Sequence, residues 1–401
     1  MKKSRIIITM HYLELGGAEM ALIGLLNALD PEKVDVDLMI YRHQGPLMRY
    51  IPKWVNLLPE NRAYSSIEAP TAEAIKKGQL GIVSGRLKAK IDHRNYIKSN
   101  EITGEDISIF SFIGETVTPH LPKINPEIEY DLCISFLLPH KFALDKIRAK
   151  KKIAWLHTDY SKVHIAKEIE RKVWQGYDNI ISISEDVGKG FASVYPELSS
   201  RLIPIENILP KEYITSRTLE FDAHSQINGS TNILTIGRFC YQKNLDNVPD
   251  IARGMVKFGL SDFKWYIIGY GGNEAEIRKK IKESGMADHI IILGKKENPY
   301  PYIKACDFYV QPSRYEGKSI TVREAQVLGK PVAVTAYPTA PSQIRNGIDG
   351  VIVPLDNEGC AKGLVDFINN RQLQKSVSEY CRTHDYCNEK EVEKIYSLLN
   401  I

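Results

Sequence analysis

Two carboxylates with seven residues between them, Glu316 and Glu324, bracket the stretch of this sequence best suited to hold an anion. An apolar run ending near Gln311 reads as a strand, and Pro312 to Tyr315 lead into a turn at Gly317. A helix is expected to begin at Lys318 or Ser319. The backbone N–H groups of Lys318, Ser319 and Ile320 then face outward at its N-terminus, where partial positive charge suits a diphosphate. Glu316, just ahead of the helix, is placed to reach a sugar hydroxyl. Glu324, about one and a half turns inside, is placed to accept hydrogen bonds from a ribose diol. Standing alone, the pair would read as two acids that merely favour a helix start.

Other residues sharpen the reading. Gly237-Arg238-Phe239 with Lys243 follows an apolar strand, and the carboxyl edge of a parallel sheet is where ligands gather. Arginine as a fork and lysine as a point charge together suit a pyrophosphate; a solvated basic loop is the bland alternative. Gly16-Gly17 lies between the first strand and the first helix, where glycine admits close approach of a phosphate or serves a plain tight turn. Gly269-Tyr270-Gly271-Gly272 lacks the third spaced glycine and the later acid of a dinucleotide fingerprint, so no such site is expected there. Asp35-Val36-Asp37 opens a strand, at the wrong edge for a ligand, and reads as structural.

The elements that must position these residues alternate. Strands are expected at 5–9, 36–41, 132–136, 152–157, 179–182 and 201–204, then at 232–237, 264–269, 289–293, 308–311, 331–335 and 350–353. Helical patterns lie between them, including 17–29, 274–284 and 319–329, which argues for parallel βαβ units. Residues 211–231 lack a sustained apolar period and read as a linker. The expected class is therefore α/β, with two Rossmann-like doubly wound parallel-sheet domains, 1–210 and 232–401. A C-terminal amphipathic helix at 389–399 is free to cross back to the first domain.

Bulk properties narrow the classes. A chain of 401 residues exceeds a single core, and a net charge of +4 is too mild to call for a nucleic-acid partner. The six cysteines show no Cys-x-x-Cys pair or zinc-ligand spacing, so reduced thiols and a cytoplasmic location are expected. No stretch has the roughly 18 apolar residues of a spanning helix. Charge is uneven: Lys76, Lys77, Arg86, Lys88, Lys90, Arg94 and Lys98 face one acid, Asp92, and Arg148 with Lys150–Lys152 form a second cluster.

Taken in order, Gly-Gly, Arg…Lys, Gly-x-Gly and Glu-x7-Glu resemble the retaining nucleotide-sugar glycosyltransferases of the GT-B fold, family four (group 1). Supporting matches are Ile181–Glu185, Ile291–Gly294, Ala305-Cys306-Asp307 and Leu328–Val332, and the likeness is strongest from Asn232 to Pro354. The resemblance implies two domains facing a central cleft, the first binding acceptor and the second the donor. It implies donor roles for Glu316, Lys318–Ile320 and Glu324, a diphosphate clamp of Arg238 and Lys243, and closure of the Gly16-Gly17 loop on the donor. It gives His157 a contact to the donor sugar, and gives the base to backbone around Lys295–Asn298, Lys296 included.

It also implies front-face transfer with retention, without metal or other cofactor, the nucleoside-diphosphate sugar being the substrate. The expected acceptor is a saccharide or lipid-linked saccharide of surface polysaccharide, with the basic segment 76–98 set for peripheral contact with an anionic membrane on its inner face. Two departures stand out. Lys318 occupies a position usually apolar, and Gln343 stands where relatives often have Glu. A sugar-nucleotide epimerase on this fold, or a non-catalytic sugar-nucleotide binding protein, are the competing readings.

Overall fold

In the computed structural model, which describes residues 3–400, the chain forms two compact units, Met1–Ile208 with Glu389–Ile401, and Leu209–Asn388. The first unit contains a seven-stranded parallel sheet: β1 Ser4–Met10, β2 Val34–Ile40, β3 Asn56–Leu57, β4 Tyr130–Ser135, β5 Ala149–Leu156, β6 Asn179–Ser182 and β7 Leu202–Pro204. Its order is β3-β2-β1-β4-β5-β6-β7. The second holds six parallel strands: β8 Asn232–Ile236, β9 Lys264–Ile268, β10 Ile290–Gly294, β11 Phe308–Gln311, β12 Val332–Thr335 and β13 Val351–Val353, in the order β10-β9-β8-β11-β12-β13. In each sheet the first strand is central, the next two lie to one side and the rest to the other. That is the doubly wound arrangement, with its crevice where the winding reverses.

Central parallel strands are covered on both faces, so they read as unbroken apolar runs rather than alternating ones. Ile6, Ile7 and Ile8 of β1 are fully buried, as are Ile233 and Leu234 of β8. Twelve strands fall where the apolar runs place them, and β3 is added. It is a two-residue edge strand whose Asn56 donates to Asp37 at 2.6 Å. Asp37 also accepts from Arg5 at 2.9 Å and from the Tyr130 hydroxyl at 2.7 Å, so its carboxylate ties β1, β2, β3 and β4 together. That work explains an acid inside a strand.

The expected linker is corrected. Lys211–Arg217 is a helix of the second unit, and it and the segment after it are tied to the loop and helix that follow β10. Buried Asn298 donates to the Arg217 carbonyl at 2.8 Å and to Glu220 at 2.9 Å, and the Tyr302 hydroxyl donates to Gln226 at 2.9 Å. Short polar ties to a neighbouring loop replace apolar periodicity, which is why the stretch looked unstructured. The C-terminal helix Val392–Leu399 belongs to the first unit: Tyr396 accepts from the Asp30 amide at 2.6 Å, and Lys151 donates to the Leu398 carbonyl at 2.8 Å.

The glycine-rich turn after β9 has a packing role. A Cβ on Gly269 would lie 1.9 Å from the Gly237 carbonyl oxygen, and one on Gly271 would lie 2.5 Å from that of Phe239, both at φ near +155°. Only glycine lets this turn lie against the loop that follows β8. Gly269→Ala should therefore lower the thermal unfolding midpoint by several degrees, a cost of about 2 kcal/mol or more. Gly272→Ala, with nothing within 4 Å of its added carbon, should leave the midpoint in place. Equal midpoints for the two variants would refute the packing role.

Candidate functional site

At the reversal point of the second sheet, β8 and β11 are neighbours and their following loops face each other. The β8 loop is pinned by the Phe239 amide donating to the Tyr270 carbonyl at 2.9 Å, and by burial of the Phe239 ring. The β11 loop is joined to it by two ion pairs. Arg314 grips Asp246 with both guanidinium nitrogens at 2.8 Å, a bidentate geometry that fixes angle as well as distance. Lys243 Nζ meets Glu316 Oε1 at 2.6 Å, with side-chain exposures of only 17% and 6%. Ser313 Oγ donates to the same Glu316 oxygen at 2.6 Å, Gln242 to the other at 3.3 Å, and Thr339 Oγ1 to the Glu316 carbonyl at 2.7 Å. Glu316 is thus held from three loops.

Sequence reasoning placed Lys243 and Glu316 in one site, and the structure brings them into direct contact. An ammonium has three donors, so Lys243 keeps capacity for an anion beside Glu316. Arg238 lies on the same loop with its guanidinium exposed and in no hydrogen bond or ion pair among the described residues.

The helix expected after Gly317 spans Ile320–Val327, with Ser319 as its N-cap. One expectation is corrected there. The Ser319 amide does not face outward; it donates to Gln343 Oε1 at 3.0 Å, while Gln343 Nε2 donates to the Ser319 carbonyl at 2.6 Å. A carboxylate at 343 could accept the first bond but not donate the second, which gives glutamine its reason here. Ile320 opens the helix, and half-buried Lys318 sits in the turn before it.

Glu324 is buried inside that helix and accepts from the Tyr300 hydroxyl at 2.7 Å. Beside Tyr300 lies Arg217, buried, donating to the Tyr213 hydroxyl at 2.7 Å and to the Glu297 carbonyl at 3.4 Å. The segment read as a linker therefore supplies a cation near the second acid. Lys296 donates to Gln226 at 3.3 Å and rides 5.3 Å over the Tyr302 ring, so its loop after β10 is braced by the same segment.

Gly16, Gly17 and His157 belong to the first unit. Gly16 is the N-cap of the helix Gly17–Ala28, and a Cβ there would sit 2.2 Å from Glu19 Oε2, so the glycine makes room for that carboxylate. His157 follows β5, with its ring 4.9 Å from that of Phe136 at a tilt of 52°. Burial lowers its pKa to about 4 against a hydrogen bond to the Phe136 carbonyl, so the ring is neutral near pH 7, and its buried Nε2 has no partner among the described residues. Sequence reasoning missed a second such histidine. His11, just after β1, is 7% exposed, with Nδ1 in short contact with Glu68 and with no partner on Nε2 among the described residues. The Glu68 carboxylate accepts from Nδ1, so Nε2 is the ring nitrogen that remains for a ligand. The 57 residues separating the pair hid it.

Residues 216–384 match the family model described as glycosyl transferases group 1. The match lies within the second unit, which is similar to the group 1 glycosyltransferase domain. Among curated proteins, the chain is 29% identical over 171 residues to the amylovoran biosynthesis glycosyltransferase AmsD of Erwinia amylovora, covering 42% of this chain and 48% of AmsD. It is 27% identical over 153 residues to a Campylobacter jejuni N-acetylgalactosaminyltransferase named for a diphospho-undecaprenol-linked substrate, covering 38% and 41%. The chain spans about half the length of the curated relatives it matches. Among solved structures, Anabaena HepE with UDP-glucose aligns at a TM-score of 0.66 and 15% identity over 98% of this chain and 99% of that one. A Staphylococcus aureus TarM complex containing UDP aligns at 0.69 and 14%, over 99% and 100%. These likenesses establish the GT-B glycosyltransferase fold of two parallel-sheet α/β domains.

Within the second unit, burial pushes the Glu324 carboxyl up to about 7, while the Tyr300 hydrogen bond and the Arg217 charge pull it down. A pKa raised by folding stabilises fully below the ordinary carboxyl value of 4.5, and that contribution is lost as pH rises through about 7. Glu324→Gln, always neutral and still able to accept from Tyr300, should be more stable than the parent at pH 8 by about 1–3 kcal/mol. The gap should close near pH 5. Thermal melts at both pH values check this, and a gap unchanged between them would contradict it.

Proposed function

We propose that the protein is a retaining, metal-independent glycosyltransferase that moves a sugar from a uridine-diphosphate sugar to a saccharide or lipid-linked saccharide of a surface polysaccharide. The observation that carries this reading is the half-buried Lys243–Glu316 pair spanning the reversal point of the second sheet, with exposed Arg238 on one side and the Ile320–Val327 helix start on the other. Support for uridine comes from HepE and TarM, solved with UDP-glucose and UDP. Support for a lipid-linked acceptor comes from the Campylobacter relative's name, and for polysaccharide from AmsD.

In this reading the diphosphate lies between Arg238 and Lys243, and the helix start at Ile320 adds partial positive charge. Ionised Glu324 exchanges Tyr300 for the ribose diol, and the loop of Lys295–Asn298, with Lys296, meets the base. Glu316 accepts from a sugar hydroxyl, and so does the open Nε2 of His157. The bond from the anomeric carbon to the β-phosphate oxygen breaks as the acceptor oxygen attacks the same face. The acceptor proton passes to the leaving phosphate, whose charge the two cations offset. The acceptor hydroxyl belongs to the first unit, where His11 Nε2 can accept from it. A cytoplasmic enzyme bound peripherally to the membrane's inner face fits such an acceptor, and no helix among the described residues is long and apolar enough to cross.

Transfer from labelled UDP-sugars should be unaffected by EDTA. Glu316→Ala and Lys243→Ala should each lose about a hundredfold or more in rate while remaining folded by circular dichroism. Near-normal turnover in either variant would overturn the assignment, and epimer formation without transfer would favour the competing enzyme class.

A further inference from the structure

The 20-residue helix Leu80–Ser99 covers the first unit with one face, burying Ile82, Gly85 and Ala89. At about 100° per residue, Leu80, Leu87, Ile91, Arg94 and Lys98 fall in a single stripe on the opposite face. Leu80, Leu87 and Ile91 are 64%, 60% and 52% exposed, and Ile75 of the preceding helix is 50% exposed. Isolated exposed apolar residues need no explanation, but three large ones along one helix stripe form a patch.

The charges around the patch sort in two. Arg86 turns back to the Ser66 and Ala69 carbonyls at 3.0 and 2.7 Å, and Lys77 pairs with Glu73 at 2.9 Å. Lys76, Lys88, Lys90, Arg94 and Lys98 are exposed and make no ion pair among the described residues. So five cations of the basic segment, not seven, are available, and they rim or extend an apolar stripe.

We propose that the exposed face of Leu80–Ser99 is a docking surface for an anionic lipid bilayer. Leu80, Leu87 and Ile91 enter the headgroup boundary while Lys76, Lys88, Lys90, Arg94 and Lys98 meet acidic headgroups. Charge complementarity selects this occupant. A second copy packed on the same face would set cations against cations, and a purely electrostatic partner would leave the leucines and isoleucines in water. The inference deepens the reading of a lipid-linked acceptor, because it places the first unit against the surface where such an acceptor resides.

Flotation of the full chain with phosphatidylcholine vesicles, with and without phosphatidylglycerol, tests it. Recovery should rise about tenfold or more with the anionic lipid, and reversing Lys88, Lys90, Arg94 and Lys98 to glutamate should return it to the neutral-lipid level. Leu80→Ser, Leu87→Ser and Ile91→Ser together should abolish the binding that survives about 0.5 M salt, where exposed charges are screened. Equal recovery on both vesicles, or a serine variant that binds like the parent, would overturn the proposal. So would a dimer in light scattering that the serine variant dissolves, since the patch would then belong to a second copy. A UDP-dependent thermal shift on the same samples separates the readings: vesicle binding without the shift removes the donor site alone, and the shift without vesicle binding removes the docking face alone.

Discussion

Lys243 and Glu316 carry opposite charges across the one place in the second sheet where adjacent strands send their chains in opposite directions. The doubly wound order makes β8 and β11 neighbours and leaves a crevice beyond their carboxyl ends. A half-buried ion pair across that crevice is stabilising only while both partners stay; removing one strands a desolvated charge, at a cost of roughly 3–5 kcal/mol. The surrounding structure serves the pair. Arg314 and Asp246 fix the spacing of the two loops, Ser313 and Gln242 complete the acceptor capacity of Glu316, and Thr339 anchors its backbone. Gly269 and Gly271 let the β9 turn press against the β8 loop from the far side.

A second constraint is the burial of Glu324. A carboxyl sealed under Tyr300 with Arg217 nearby holds its proton more tightly than in water, so the fold carries it at an energetic disadvantage above pH 7. Residues that act on ligands are often kept in environments that do not suit them in isolation. Under the proposed function, two hydroxyl donors from a ribose diol would relieve that disadvantage.

Much of this was legible in the sequence, for reasons that can be named. Ile6–Ile8 and Ile233–Leu234 announce central parallel strands because both faces are covered. The chain order Arg238, Lys243, Glu316, Glu324 pointed to one cluster because both loops follow strands that flank the reversal, and Lys243 does meet Glu316 there. What escaped were pairings that no local pattern encodes. The Glu68 carboxylate reaches His11 across 57 residues, and Asn298 seeks the Arg217 carbonyl across 81. The 211–231 segment lacked apolar period because its ties are polar. The outward amide expected at Ser319 failed because Gln343, 24 residues on, meets both its N–H and its carbonyl. The basic segment 76–98 was visible as charge, but the exposure of Leu80, Leu87 and Ile91 depends on which helix face the core claims.

The most direct test of the account is a crystal structure of the chain with UDP. The diphosphate should lie within hydrogen-bond reach of both Arg238 and Lys243, with the ribose hydroxyls on Glu324 in place of Tyr300. Nucleotide bound elsewhere, or Glu324 still sealed under Tyr300 with the ribose facing solvent, would contradict it.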